Sequence, residues 1–435
     1  MTSTAEDEVV DLCSDLIRIP SVNTGDPSTI GDQEAVAAKY IQQKLEEVGY
    51  RTEYAESVPG RGNVVARLAG ADPSRGALLI HGHVDVVPAN AAEWTVDPFS
   101  GAVQDGYVWG RGAVDMKDMV AMTLAVARDL KRRNVIPPRD LIFCFVSDEE
   151  AGGVYGAEWL VDHRPEWFTG ATEAISEVGG FSINVDPERR AYLVAAAEKG
   201  VAWATLTATG KAGHGSMIAE DNAVTRIAEA VARLGRHEFP ISRTATVDAF
   251  LAAVTELTGM EFPDDDLEGA IGKLGPVSKI VNATLRNTAN PTMLSAGYKA
   301  NVIPSTAQAT VDCRVLPGQV DSFKAEVAEI VGDGVDIDWF ISPPLEYPWE
   351  GALVEAMKAA IRHEDDNGHP IPYMLSGGTD NKAFSRLDIA GYGFSPLRLP
   401  ADLDFSSLFH GVDERVPVDA LRFGVRVLDR LLVNC

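Results

Sequence analysis

Apolar positions along the first 195 or so residues change their period several times. Val36, Ala37, Tyr40, Ile41, Leu45 and Val48 recur at helical spacing, which predicts an amphipathic helix over 34–48. Two continuous apolar runs, Ala77–Ile80 and Leu141–Val146, end abruptly in polar and charged residues. Short runs of this kind suit strands buried on both faces of a mostly parallel sheet. Between them the pattern over 118–130 reads as a crossover helix. Strand, helix, strand is α/β order, and in open sheets of that class ligands gather beyond the carboxyl ends of the strands.

The pattern changes near Glu198–Gly200. Residues 201–209 alternate like a strand with one exposed face, and Val224, Ile227, Ala228, Val231 and Leu234 share one face of a predicted helix over 223–234. From 307 to 315, Ala307, Ala309, Val311, Cys313 and Val315 point one way and Gln308, Thr310, Asp312 and Arg314 the other. A helix near 319–331 and a strand over 335–341 follow. These patterns predict an α/β body in two parts, 1–199 and 344–435, interrupted by an inserted α+β domain over 200–343. Within the insert, 238–280 predicts one helix through Phe250, Leu251, Val254 and Leu257, then an acidic loop.

At 435 residues the chain is long enough for two domains. Acidic residues exceed basic ones, 64 against 38, for a formal net charge of −26, which argues against nucleic acid or an anionic membrane as partner. No run approaches the roughly 18 apolar residues of a membrane span, and MTSTAEDEVV lacks the basic-then-apolar pattern of a signal peptide. Cys13, Cys144, Cys313 and Cys435 form no CxxC pair. A reduced, cytoplasmic protein is expected.

Charged residues cluster where the apolar runs stop. HGHVDVVP places His83 and Asp85 two residues apart at a strand end, on one side of the chain. Asp85 is placed to accept the second N–H of a metal-bound imidazole, although HxD alone is as often structural. His81 reads as a buried supporting residue. In GRGAVDMKD, Asp115 precedes the crossover helix and taken alone reads as a helix cap. In SDEEAGG, three adjacent acids follow a buried strand and repel one another unless cations compensate. One division of labour puts Glu150 on a metal and Glu149 against a water as general base; a solvated turn is the alternative. Glu177 in SEVGG and His410 in LFHGVDE are unremarkable singly. Together, two histidines and three carboxylates without cysteine suit a catalytic site for Zn²⁺, with Co²⁺ or Mn²⁺ as alternatives. Paired ions roughly 3.5–4 Å apart can share one carboxylate and sharpen a water between them.

Read in order, HGHVDVVP, WGRGAVDMKD, DEEAGG, SEVGG, GKAGHGS, NVIPSTAQATVDCR, SGGTDNKAF and LFHGVDE resemble the metal-dependent exopeptidases and deacylases that include acetylornithine deacetylase, succinyl-diaminopimelate desuccinylase, aminoacylase and glutamate carboxypeptidase. The resemblance covers nearly the whole chain. It implies a di-zinc exopeptidase-like α/β fold, with a mostly parallel sheet flanked by helices and a lid/dimerisation domain in the insert. It further implies two Zn²⁺ per subunit, one on His83, Asp115 and Glu177 and the other on Asp115, Glu150 and His410, with Asp115 as the bridge and Glu149 as the general base. His214 in GKAGHGS matches a lid histidine that reaches the partner subunit's site in a homodimer and steadies the oxyanion. Asn301 and Arg314 match lid positions near the substrate's polar groups, and Gly377, Gly378 and Thr379 a glycine-rich substrate loop. Arginine can grip a carboxylate bidentately, although Arg314 also reads as an ordinary surface residue. The stretch between His214 and Asn301 is longer than in the smallest members of that family. The expected activity is metal-dependent hydrolysis of N-acyl-L-amino acids, with a dipeptidase or carboxypeptidase as the alternative.

Overall fold

A computed structural model describes residues 4–275 and 277–435. The run Leu141–Val146 is a strand with every residue buried, and it lies beside the equally buried Ala77–His83. Parallel pairing continues from Ala77–His83 to Ala171–Ser176 and on to Ala390–Gly393. The margins are antiparallel: Gly62–Leu68 and Thr52–Glu56 on one side, Arg190–Glu198 on the other. The sheet is therefore parallel at its centre, as the continuous apolar runs require, and mixed at its edges.

Period two divides the central strands between two helical layers. Ala77, Leu79, Ile142, Cys144 and Val146 pack with Leu160, Val161 and Phe384 from the helices Ala157–His163 and Asn381–Phe384. On the opposite face Phe143 meets Tyr50 edge-on, and a side chain at Gly82 would collide with Met116 and Val120, so the helix Lys117–Arg132 lies close there. That helix is in turn covered by Ala5–Ile17 and Val418–Asn434, two helices that the sequence reading does not include. Thr4 starts the first of them with a reciprocal cap, Asp7 N–H donating to Thr4 Oγ1 and Thr4 N–H to Asp7 Oδ2. Truncating a strand residue such as Leu79 to alanine should cost about 2–5 kcal/mol, because nothing in so enclosed a layer can collapse into the gap.

Contacts divide the chain into two units. One comprises the chain up to Ala196 with Tyr347–Pro372 and Thr379–Cys435; the other comprises Ala197–Glu346 with Tyr373–Gly378. The second unit is built on an antiparallel sheet in the order Thr288–Ala296, Thr306–Val315, Gly200–Thr209, Val335–Ser342. The helices Ala223–Leu234 and Val320–Val331 cover one face, where Ala307, Ala309, Val311, Cys313 and Val315 meet Ile227, Leu234, Phe323 and Val327. The opposite face carries Trp203 and Phe340, ring against ring and largely exposed. In the stretch read as one helix and a loop, Ala245–Thr258 buries Phe250, Leu251, Val254 and Leu257, and two further short helices follow, Leu267–Gly272 and Val277–Asn282. Among the described residues no helix is long and apolar enough to cross a membrane.

Candidate metal centre

Three parallel strands deliver the charged residues to one edge. His83 ends its strand opposite Val146, so Asp148 and Glu149 lie just beyond it on the neighbouring strand's exit, and Glu177 follows Ser176 on the other side. The exits turn sharply. Asp148 adopts φ 71°, and a short turn over Glu149–Ala151 ends at Gly152 with φ 99°. The chain then returns so closely that a Cβ on Gly156 would sit 1.7 Å from the Ser147 carbonyl oxygen. Val178, next to Glu177, has φ 52°, rare for a β-branched residue, and His410 has φ 56°. Such strain concentrates at functional sites.

The side chains converge. His83 Nε2 lies 3.2 Å from Asp115 Oδ1 and 3.3 Å from Glu177 Oε2. His410 Nε2 lies 3.2 Å from Asp115 Oδ2 and 3.2 Å from Glu150 Oε2. Asp115 thus stands between two imidazoles, offering one oxygen to each. It is no helix cap, since Met116 precedes Lys117–Arg132 without a side-chain cap. Potential ligand atoms of His83, Glu149 and Glu177, and those of His83, Asp115 and Glu150, each fall within 4.8 Å of one another.

Electrostatics marks the cluster as short of positive charge. Burial, and then the charge of Glu177, pushes Glu149 well above the usual carboxylate range. Burial pushes Glu177 up to about 7 against the pull of His83. Burial would raise Asp115 as well, but His410 and His83 outweigh it and hold the carboxylate ionised. His410 is pushed up to about 10 by Asp115 and Glu150. Crowded carboxylates are pushed toward their protonated forms, as expected when like charges share a dry site. Divalent cations would replace those protons, and the donor set of imidazoles and carboxylates suits Zn²⁺ and its neighbours. Glu150 Oε1 is buried with no hydrogen-bond partner, which leaves a lone pair for such an ion.

Asp85 does more than the HxD pattern suggests. His83 Nδ1 is 3.0 Å from the Asp85 main-chain oxygen and 3.4 Å from Oδ1. The carboxylate also accepts the N–H groups of Glu149 and Glu150, both at 3.1 Å, so one buried acid orients an imidazole and the Glu149–Glu150 turn together. Asp148 turns away from Glu149 and Glu150 into a buried network with Asn23, Arg61, Glu34 and the Tyr155 N–H. Arg61 also pairs with Glu34. The sequence reading missed Asn23, Glu34 and Arg61. Glu34 carried a signal: it is a charged residue on the buried face shared by Ala37, Ala38 and Ile41. His81 is buried, with Nε2 2.9 Å from Asn381 Oδ1 and its ring against Phe384.

His214, Asn301 and Arg314 lie in the second unit, and Gly377 and Gly378 group with it, while Thr379 belongs to the first. His214 is exposed, pairs with Val302, and its Nδ1 is 2.8 Å from Ser216 Oγ. The Gly215 N–H donates to the Asn301 carbonyl, so His214 and Asn301 occupy one small structure. Arg314 is partly exposed, and its Nε and Nη2 donate to both oxygens of Asp312. Thr379 is buried, and its Oγ1 accepts the Asn381 N–H.

The pattern of peptidase family M20/M25/M40 matches residues 79–434. A relative named N-fatty-acyl-amino acid synthase/hydrolase PM20D1, from Xenopus tropicalis, is 28% identical over 100% of this chain and 88% of its own length. Aminoacylase-1 of Sus scrofa is 28% identical over 91% and 89%. An M20 family metallo-carboxypeptidase from Sulfolobus solfataricus, Sso-CP2, superposes with a TM-score of 0.74 at 18% identity, over 98% of this chain and 99% of that one, and shares the fold. The chain belongs to peptidase family M20/M25/M40 and is a hydrolase of amide or peptide bonds.

Proposed function

We propose that this family member hydrolyses the amide bond of N-acyl-L-amino acids, using two metal ions of the zinc class per subunit. The observation that carries the reading is the placement of Asp115, one oxygen toward His83 and the other toward His410, with half-buried Glu149 beside the same cluster. His83, Asp115 and Glu177 would hold one ion and Asp115, Glu150 and His410 the other. Bound there, the pair supplies Lewis acidity that makes a water nucleophilic at neutral pH and polarises the scissile carbonyl.

The chain's own groups do the rest. Glu149 removes the proton from the attacking water as the new C–O bond forms, and passes it to the amine as the C–N bond breaks. The products are a carboxylic acid and a free amino acid. Asp85 fixes the Glu149 backbone through its N–H and keeps the His83 tautomer. His214, supplied by a second copy of the chain in a homodimer, donates to the tetrahedral oxyanion. The exposed outer strand Thr288–Ala296, with Met293 and Leu294 open to solvent, supports pairing of that kind. We assign the substrate carboxylate to Arg314, Asn301, Gly378 and Thr379. Arg314 would offer its remaining donors, because Asp312 already engages Nε and Nη2. The insert acts as lid and dimerisation domain. All four cysteines are buried and unpaired, which supports a reducing, cytoplasmic setting.

The test is a substrate panel with protein reconstituted in Zn²⁺, Co²⁺ and Mn²⁺. N-acyl amino acids with a free carboxylate should exceed dipeptides in kcat/KM by about tenfold or more. The reverse order would make the protein a dipeptidase or carboxypeptidase of the same family.

A further inference from the structure

His83 closes a fully buried strand, hydrogen-bonded to neighbours on both sides of the sheet. His410 has no such frame. It follows a single short turn, Phe405–Ser407, in a left-handed conformation, with its side chain about half exposed. Yet its Nε2 meets Asp115 and Glu150 as closely as His83 meets its own partners. Something must hold this loop against the Asp115 turn.

The contact is a buried ion pair outside the ligand set. Glu414 is fully buried and Arg111 nearly so. Arg111 Nη1 donates to Glu414 Oε2 at 2.7 Å, and Nη2 reaches the His410 carbonyl at 3.3 Å and that of Pro88 at 3.5 Å. Glu414 Oε1 accepts the N–H of Val114 at 2.7 Å and of Asp115 at 3.2 Å. One end of the pair therefore grips the main chain of Asp115 and the other the main chain of His410. The Arg111 guanidinium lies over the Trp94 ring, 5.3 Å from its centre. Burying two charges is costly, and a hydrophobic replacement of such a pair is often no less stable. Stability alone therefore does not account for it, whereas fixing the separation of two loops does.

We infer that Arg111 and Glu414 are positioning residues that fix Asp115 relative to His410, and so set the affinity of the ion those two share with Glu150. The inference rests on the two-ion reading above. It makes the two ions unequal: the ion on His83, Asp115 and Glu177 would have two of its three ligands on rigid strand ends, while the other would take both Asp115 and His410 from loops that the Arg111–Glu414 contact holds together. Removal of a supporting partner typically weakens metal binding about 10–100-fold.

The test is calorimetric titration of the metal-free protein with Zn²⁺, for wild type, Arg111→Met, Arg111→Lys and Glu414→Gln, with thermal melts to confirm folding. Wild type should bind two ions. Arg111→Met should bind the first normally and the second about 10–100-fold more weakly. Arg111→Lys keeps a cation beside Glu414 but lacks the planar fork needed to reach His410 as well, so it should show a smaller loss confined to the same step. Glu414→Gln, nearly isosteric, serves if the arginine variants do not fold. A wild type binding fewer than two ions overturns the two-ion reading itself. Two ions in wild type with an unchanged second step in the folded variants, or equal weakening of both steps, overturns the role of this ion pair.

Discussion

The side-chain amide of Asn23 donates to Asp85 Oδ2 at 3.0 Å. The same nitrogen lies 3.0 Å from Asp148 Oδ1, so one amide separates two buried carboxylates by giving each a hydrogen. Asn23→Ala leaves both acids short of a donor and should lower activity about 10–100-fold. Asn23→Asp adds a third carboxylate in the same place and should be worse. The measurement is kcat with metal content for both variants; wild-type activity in Asn23→Ala would show that the donated hydrogens do not matter.

Glu149 is assigned proton transfer, not the holding of an ion. Glu149→Gln keeps its shape and should cost about 10²–10⁴ in kcat, while metal content by mass spectrometry stays at the wild-type level. Loss of metal alongside activity would move Glu149 into the ligand set.

His214 is assigned to the site of a second copy of the chain. His214→Ala should cost about 10²–10³ in kcat, the range for one oxyanion donor. Mixing it with Glu149→Gln protein under subunit exchange should recover activity, because one hybrid site then carries both an intact Glu149 and an intact His214. Absence of any recovery, with dimers seen by sedimentation, would count against donation between subunits.

Lys199 makes stability in the second unit depend on pH. Its Nζ donates to the main-chain oxygens of Ala283 and Arg286, and burial, reinforced by the charge of Arg314, pulls its pKa down to about 8. Unfolded, a lysine titrates near 10.4. Between about pH 8 and 10.4 the unfolded chain binds the proton that the folded chain releases, so this residue's contribution to stability rises with pH across that window. Melting curves should show wild type gaining on Lys199→Met as pH rises from about 8 to 10. A constant difference would mean that Lys199 titrates normally.

Part of the proposed ligand set was legible in sequence for a physical reason, whereas Asp115 and His410, which lie in turns, took their roles from the family resemblance. Each acid or histidine at the end of a buried strand interrupts an apolar run, and parallel pairing then carries His83, Asp148–Glu150 and Glu177 to one edge. The supports were not legible. Asn23, Arg61 and Glu414 matter through bonds to residues remote in the chain, and a lone polar residue carries no mark of its burial. The region around 264–282 read as loop because its helices are too short to show a period. His214 stood out only through the family resemblance: its neighbourhood is exposed and glycine-flanked, with no apolar pattern to place it.

Asp115 as the shared ligand of two ions is the claim on which the chemistry rests. Anomalous diffraction from crystals of the Zn²⁺-loaded protein, collected at the metal edge, tests it directly. The account predicts two peaks about 3.5–4 Å apart, one against His83 and Glu177, the other against Glu150 and His410, with an Asp115 oxygen on each. A single peak, or a pair that Asp115 does not touch, would contradict it.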